Sequence, residues 1–231
     1  MKTIAIIPAR AGSQGLPGKN YKNFMGKPLV QHTMEQALGV FELQDIVVST
    51  NCEEVLSIAK KCGWTDVTPR PEEIAMSNTT MREVLLYEIR KYEANFGVKV
   101  DRVVLLQPTS PLRREEDILG AMGRMNEVDV DMVMSVYPCK QNPYSVVMEY
   151  NEEGLLKKVK SHLFTTRQST PPVFCINGAV YVINVPSLLK DDLSHFNKVV
   201  GYEMPENRSI DIDTDWDWYM AEKAAEYIKF A

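Results

Sequence analysis

Apolar residues in this chain fall into short unbroken runs separated by longer stretches with helical spacing. Ile4-Ala5-Ile6-Ile7, Ile46-Val47-Val48-Ser49-Thr50, Val103-Val104-Leu105-Leu106 and Met132-Val133-Met134-Ser135-Val136 are rich in β-branched and aliphatic residues and lack polar alternation. That pattern predicts strands buried on both faces. Pro28 opens a stripe of Leu29, Val30, Met34, Ala37 and Leu38 that stops at Gly39, as a helix with proline at its start and glycine past its end would. Val55, Ile58 and Ala59 predict a helix ending near Gly63. Val84, Leu85, Tyr87 and Ile89 predict a longer one, and Ile118, Ala121, Met122 and Met125 another. Strands alternating with helices predict an α/β fold with a parallel sheet covered on both faces. In such sheets a ligand sits beyond the carboxyl ends of the strands, so the residues that follow each run are the first candidates for chemistry.

The rhythm changes near Tyr137. Pro138, Pro143, Pro171 and Pro172 interrupt the chain, and Gly154 follows the acidic turn Asn151-Glu152-Glu153. Ser145-Val146-Val147-Met148-Glu149 reads as one arm of a hairpin, and Ala179-Val180-Tyr181-Val182-Ile183 as a strand returning to the main sheet. We therefore expect one domain over 1–231 with an inserted oligomerisation or lid element at about 138–176. A helix is expected from Asp215.

Composition narrows the function. The 231 residues are 45% hydrophobic and 25% charged, ordinary for a globular protein and incompatible with disorder or low complexity. The net charge of −5 disfavours broad nucleic-acid binding. No apolar stretch approaches the roughly 18 residues that span a bilayer. The N-terminal apolar run stops at Pro8, too short for a secretory segment. Cys52, Cys62, Cys139 and Cys175 form no C-x-x-C pair, and His32, His162 and His195 lie far apart. A disulfide framework or zinc site is not expected. The expectation is a cytoplasmic, reduced protein without nucleic-acid or membrane partners.

The segment after the first run, Pro8-Ala9-Arg10-Ala11-Gly12-Ser13-Gln14-Gly15-Leu16-Pro17-Gly18-Lys19-Asn20, carries the strongest chemical signal. Glycines let backbone N–H groups converge on an anion, and Arg10 and Lys19 supply charge for a polyphosphate. Two familiar phosphate motifs do not fit. A P-loop has four residues between its first glycine and its Gly-Lys pair, whereas five separate Gly12 from Gly18, and Asn20 stands where Ser or Thr is needed. The dinucleotide fingerprint begins G-x-G and enters a helix directly, and this loop does neither. A surface turn whose glycines serve geometry alone is the competing reading. Near the other end, Asp211 and Asp213 flank Ile212. In an extended segment they share one face, an oxygen-rich arrangement suited to Mg²⁺. Thr214-Asp215-Trp216-Asp217 reads instead as a helix cap with an acidic first turn. Gln107 ends the third run, where it either recognises a hydroxyl or carboxylate or satisfies the following turn. Arg167 either clamps a carboxylate or is solvated.

Four segments together resemble the acylneuraminate cytidylyltransferases, the CMP-sialic acid synthetases: Ile6 to Asn20, Leu105-Leu106-Gln107-Pro108-Thr109-Ser110-Pro111-Leu112-Arg113, Asn177-Gly178-Ala179-Val180-Tyr181, and Ser209-Ile210-Asp211-Ile212-Asp213-Thr214. They occur in the family's order over almost the whole chain. The resemblance implies a Rossmann-like three-layer nucleotidyltransferase fold of the nucleotide-diphospho-sugar transferase type. It implies a nucleotide site of Ala9, Arg10, Ala11, Gly12, Ser13, Lys19, Asn20, Arg70 and Thr79, with Arg70 near the cytosine. It places Gln107, Arg167, Gln168, Asn177 and Tyr181 on the acceptor side and makes Asp211 and Asp213 the Mg²⁺ ligands. Arg10, Lys19, Asp211 and Asp213 become the catalytic set. It also implies a homodimer whose inserted element exchanges contacts with the partner, with Phe196 reaching across. The sequence departs from the family at Ser77, an aspartate position, at Met81, where a serine is expected, and at Cys175-Ile176, where some members carry Arg-Pro.

The implied reaction joins CTP to a 2-keto-3-deoxy sugar acid, giving a CMP-sugar and pyrophosphate. Sialic, legionaminic, pseudaminic and eight-carbon Kdo acids are the candidate acceptors. Asn20 favours the nine-carbon group, because Kdo enzymes usually carry proline after the Gly-Lys. A sugar-1-phosphate nucleotidyltransferase and a nucleotide-binding regulatory module without turnover are the alternatives.

Overall fold

The computed structural model describes residues 1–12, 15–65, 67–160 and 170–228. In chain order, β1 (Thr3–Pro8) leads through the glycine loop and a single 3-10 turn (Lys19–Tyr21) to a hairpin of β2 (Asn23–Phe24) and β3 (Lys27–Pro28), then α1 (Leu29–Leu38). Next come β4 (Ile46–Ser49), α2 (Glu53–Lys61), α3 (Met81–Phe96), β5 (Arg102–Leu105), α4 (Glu115–Glu127) and β6 (Met132–Pro138). The arm carries β7 (Met148–Tyr150) and β8 (Leu156–Lys158). The chain ends with β9 (Phe174–Asn184), α5 (Val185–Lys190), β10 (Val199–Glu203) and α6 (Asp215–Tyr227).

The fold is α/β, with a six-stranded sheet of order β10-β6-β9-β5-β1-β4. Here the structure departs from the all-parallel expectation. β9 runs antiparallel to both β5 and β6, and the remaining pairs are parallel. A parallel return needs a long crossover that carries the chain back along the sheet, usually a helix. Among the described residues the connection from β6 to β9 holds only the antiparallel pair β7–β8, so the chain re-enters the sheet from the end it left. β10, an edge strand, was not expected from the sequence.

The unbroken apolar runs reflect two-sided burial. Ala5 and Ile7 face a layer built from α1, α2 and α4, including Val30, Met34, Ala37, Val55, Ile118 and Ala121. Ile4 and Ile6 face the opposite layer, with Leu85, Ile89 and Tyr92 of α3 and Leu188 of α5. Each fully buried isoleucine contributes roughly 1.5–3 kcal/mol relative to an exposed one. A third cluster lies at one end of the sheet. Leu16, Phe24, Leu29, Leu112, Ile212, Trp218 and Ala221 pack together there, joining the first loop, the β2–β3 hairpin, the turn after β5 and α6. α6 begins as expected on a reciprocal cap: Thr214 Oγ1 accepts from the Asp217 N–H at 3.2 Å, and Asp217 Oδ2 accepts from the Thr214 N–H at 2.8 Å.

Candidate active site

The loop after β1 is tied down at both ends. The Ala9 N–H donates to the Ser49 carbonyl oxygen at 2.9 Å, and Thr50 Oγ1 donates to the Ala9 carbonyl at 2.6 Å. The Ala11 N–H donates to Asn51 Oδ1 at 2.8 Å, and Asn20 Nδ2 to the Arg10 carbonyl at 3.3 Å. Gly12 and Gly18 turn the backbone at φ 77° and 71°, a region that strains residues with a Cβ. Gly15 has a different reason. A Cβ there would sit 2.4 Å from the Asp213 carbonyl oxygen, so the loop packs backbone to backbone on the acidic segment.

Lys19 joins the same two segments. Its buried ammonium donates to the Ile212 carbonyl and to Asp213 Oδ1, each at 2.7 Å. The Ile212 N–H donates to the Thr109 carbonyl at 2.8 Å, and the Ile212 side chain is fully buried in the third cluster. Asp211 and Asp213 therefore project to the other side. Burial pushes the Asp211 carboxyl above its ordinary range, the Asp213 charge adds to that, and a hydrogen bond with Thr109 opposes it. Asp211 Oδ1 is buried without a hydrogen-bond partner, a cost of about 1–3 kcal/mol unless something fills it. Among the described residues no group of three or more His, Cys, Asp or Glu forms a metal cage. Two carboxylates with an unpartnered oxygen suit Mg²⁺, which takes one or two carboxylates and fills its shell with substrate phosphates and water.

These residues border a cleft of about 600 Å³ beyond the ends of β1 and β5, lined by Arg10, Gly15, Lys19, Asn20, Arg70, Thr79, Gln107, Thr109, Asp211 and Asp213, with Ile74, Met76, Met81 and Val84 as an apolar wall. That size falls in the range of small-molecule sites. Arg70 is buried, and its Nε and Nη2 have no hydrogen-bond partner. Burial pulls its guanidinium below the ordinary range, the Arg10 charge acts the same way, and Glu88 and Glu72 oppose both. A buried cation with idle donors beside a second cation is an arrangement that an anionic ligand would complete. Across the cleft, Gly178 (φ 71°) lies under Gln107 and Asp211: a Cβ there would approach Gln107 Oε1 to 2.9 Å and Asp211 Oδ2 to 3.5 Å.

A sequence model described as Cytidylyltransferase matches residues 4–221. The chain belongs to the cytidylyltransferase family. It is 34% identical over 221 residues to the N-acylneuraminate cytidylyltransferase of Streptococcus agalactiae, covering 94% of this chain but 52% of that protein. It is 33% identical over 230 residues to the CMP-N,N'-diacetyllegionaminic acid synthase of Legionella pneumophila, covering 98% of this chain and 97% of that protein. A solved CMP:2-keto-3-deoxy-manno-octonic acid synthetase complexed with CTP shares the fold, with a TM-score of 0.70 at 17% identity over the full length of both chains.

Within this cytidylyltransferase fold, Arg10, Lys19, Asn20, Arg70, Thr79, Gln107, Asp211 and Asp213 line one cleft. Ala9 is buried behind it, while Ala11 and Gly12 line an adjoining recess shared with Arg10 and Asn20. Asn177 is turned inward. Its Oδ1 accepts from Ser135 Oγ at 2.5 Å, and its Nδ2 donates to Ser209 Oγ at 2.9 Å, so its amide serves the β6–β9 junction and not the cleft wall. Tyr181 packs against the α3 layer, close enough to Asp211 that burial and that charge raise its phenol. Phe196 folds back onto the same layer of its own chain. Ser13, Arg167 and Gln168 lie outside the described residues.

Two supporting residues were not assigned to the site from the sequence, although Arg113 ends one of the four family-like segments. Arg113 is fully buried and donates to the Gln107 carbonyl at 3.3 Å, the Ala179 carbonyl at 2.5 Å, Thr33 Oγ1 at 2.8 Å and Gln36 Oε1 at 3.0 Å. Burial pushes its guanidinium down to about 9. It fixes the backbones that carry Gln107 and Gly178. Glu88 is buried, accepts from Ser49 Oγ at 2.6 Å, and its charge favours the Arg70 cation against burial.

Proposed function

We propose that this chain activates a nine-carbon 2-keto-3-deoxy sugar acid with CTP, giving a CMP-sugar and pyrophosphate. One observation carries the reading: the glycine loop and the acidic segment, about 200 residues apart, meet through Gly15 and Lys19 at a cleft that also holds two guanidinium groups. The anomeric hydroxyl oxygen attacks the α-phosphorus, the bond to the β-phosphate oxygen breaks, and pyrophosphate departs. Arg10 and Arg70 offer donors to the nucleotide's anionic or carbonyl oxygens. Lys19 holds the acidic segment against the loop and so sets where Asp213 points. Gln107, braced by Arg113, faces the acceptor with both a donor and an acceptor. Asp211 and Asp213 would hold Mg²⁺, which neutralises phosphate charge and polarises the reacting phosphorus.

The acceptor is proposed to be of the sialic or legionaminic class, the two classes named for relatives at 34% and 33% identity. The inserted arm is also proposed as a homodimer contact, because Tyr150, Leu155, Leu156, Phe174 and Ile176 are all exposed. The test is pyrophosphate release from CTP and Mg²⁺ with sialic, legionaminic, pseudaminic and Kdo acids, each product identified by mass. Release with a nine-carbon acid is expected. Release with sugar-1-phosphates alone, or with none of the acids, refutes the reading.

A further inference from the structure

A pair of thiols sits at the root of the inserted arm, outside the cleft. β6 and β9 pair antiparallel there, with Tyr137 opposite Cys175 and Pro138 opposite Phe174. The Cys139 N–H continues the ladder by donating to the Val173 carbonyl at 2.9 Å. This register puts Tyr137, Cys139 and Cys175 on one face, with the two cysteines on a diagonal. Phe174 and Ile176, one position to either side of Cys175, lie on the other face and are exposed. Cys139 Sγ donates to the Gln141 carbonyl at 3.4 Å, and the Cys175 thiol is raised by its Cys139 neighbour and by burial. Both cysteines are partly buried and neither is in a disulfide.

We propose that Cys139 and Cys175 form a reversible disulfide that slows turnover. The oxidant class is a small-molecule disulfide. The thiolate of one cysteine attacks an oxidant sulfur and expels a thiolate, leaving a mixed disulfide. The second cysteine, losing its proton, attacks the protein sulfur of that mixed disulfide and expels the other thiolate. Two electrons and two protons pass from the cysteine pair to the oxidant, which leaves as two thiols. Cys139 and burial hold the Cys175 proton in place against the opposing effect of Tyr137, so the exchange is faster at alkaline pH.

The consequence for the site follows from chain geometry. Diagonal neighbours across an antiparallel ladder lie roughly 7–8 Å apart at Cα, and disulfides usually span less than about 7 Å, so closure draws the strands together by on the order of 1 Å. Asn177, two residues past Cys175, is bonded to Ser135 and Ser209, and Gly178 underlies Gln107 and Asp211. A shift at Cys175 therefore reaches the cleft floor. This effect on turnover rests on the cytidylyl-transfer reading; the crosslink itself does not.

The test uses the full chain with excess oxidised glutathione at pH 8, followed by alkylation, intact mass and peptide mapping. The expected result is loss of two hydrogens, a Cys139–Cys175 crosslinked peptide, and a drop in pyrophosphate release of about tenfold that dithiothreitol reverses. Cys139→Ser should neither crosslink nor respond. An unchanged mass, or a glutathione adduct without the internal crosslink, overturns the proposal. A full crosslink with unchanged turnover overturns its regulatory half. The mass measurement needs no substrate, so it stands even where the cytidylyl reading fails.

Discussion

Asp211→Asn separates the role of a charge from the role of a shape. Asparagine keeps the volume, and its Oδ1 can still meet Thr109, so the fold should survive. The buried oxygen without a partner is where the charge matters. Losing a negatively charged cation ligand at a transition state that gathers phosphate charge should lower kcat by roughly 10²–10³-fold, comparable to deleting one preorganised electrostatic group. Stability should move the other way. Burial raises the Asp211 carboxyl above its unfolded value, so the folded state disfavours its ionised form. That penalty is fully present above the folded pKa, shrinks as pH falls through it, and vanishes below the unfolded value near 3.9. The variant should therefore melt at or above the wild type at pH 7, a relief of 1 kcal/mol being worth roughly 2–4 °C in a chain of this size. The gap should close on acidification. Mg²⁺ with CTP should raise the melting temperature of the wild type and not that of the variant. Differential scanning calorimetry at pH 7 and pH 4.5, alongside a pyrophosphate-release assay, reads all three effects. Wild-type turnover in the variant, or a lower melting temperature whose deficit persists at pH 4.5, would refute the reasoning.

Other substitutions probe other joints of the site. Gly15→Ala must push a methyl to within 2.4 Å of the Asp213 carbonyl, so the loop and the acidic segment part; CTP affinity by calorimetry should fall about tenfold or more with helical content unchanged. Arg113→Met leaves the Gln107 and Ala179 carbonyls without their donor, and should cost about 1–3 kcal/mol in urea unfolding for each buried acceptor left unpaired while raising KM for the sugar acid. Arg70→Met removes the idle buried donors; KM for CTP should rise by roughly tenfold or more with little change in acceptor KM, as initial-rate kinetics would record. Thr80→Ala deletes the cap of α3, whose Oγ1 accepts from the Glu83 N–H at 3.2 Å, and should destabilise by about 0.5–2 kcal/mol without altering kcat.

The sheet was readable because two-sided burial leaves a mark in the chain. Ile4 and Ile6 pack on one layer, Ala5 and Ile7 on the other, and such a run admits a polar residue only where it is hydrogen-bonded, as Ser135 is to the Val180 carbonyl. β10 left no comparable mark: Val199, Val200 and Tyr202 are only half-buried and Glu203 is exposed, as an edge strand allows. The direction of β9 was unreadable for a different reason. Strand polarity is set by the connection, and proline-rich spacing from 138 to 172 does not say on which side of the sheet the chain returns. Within the site, residue type pointed to Arg10, Gln107, Asp211 and Asp213, which line one cleft, yet it could not distinguish a polar side chain facing a ligand from one facing other protein groups. Asn177 illustrates this, since its partners at 135 and 209 are scattered along the chain. The pairing of Cys139 with Cys175 was not expected from the sequence because it depends on strand register.

Lys19 shows how far the distinction matters for chemistry. A lysine ending a glycine loop invites the reading of a free phosphate ligand, but here its ammonium bonds the Ile212 carbonyl and Asp213 Oδ1. Its partners are 193 and 194 residues away, and they sit where they do because Ile212 is locked into the third cluster with Leu16 of the same glycine loop and Trp218 of α6. The cluster orients Ile212 inward, and alternation along an extended segment then forces Asp211 and Asp213 outward together. The distance between the nucleotide loop and the carboxylates is thus fixed by apolar packing on the hidden side of the same segment, with Lys19 and Gly15 closing the seam. Lys19→Met should consequently misplace Asp213 as well as remove a cation. Restoring charge with Lys19→Arg should not rescue turnover, because a planar guanidinium cannot place one compact donor group between a carbonyl and a carboxylate as an ammonium does. Recovery of wild-type kcat in Lys19→Arg would mean that charge alone, and not the seam, is what position 19 supplies.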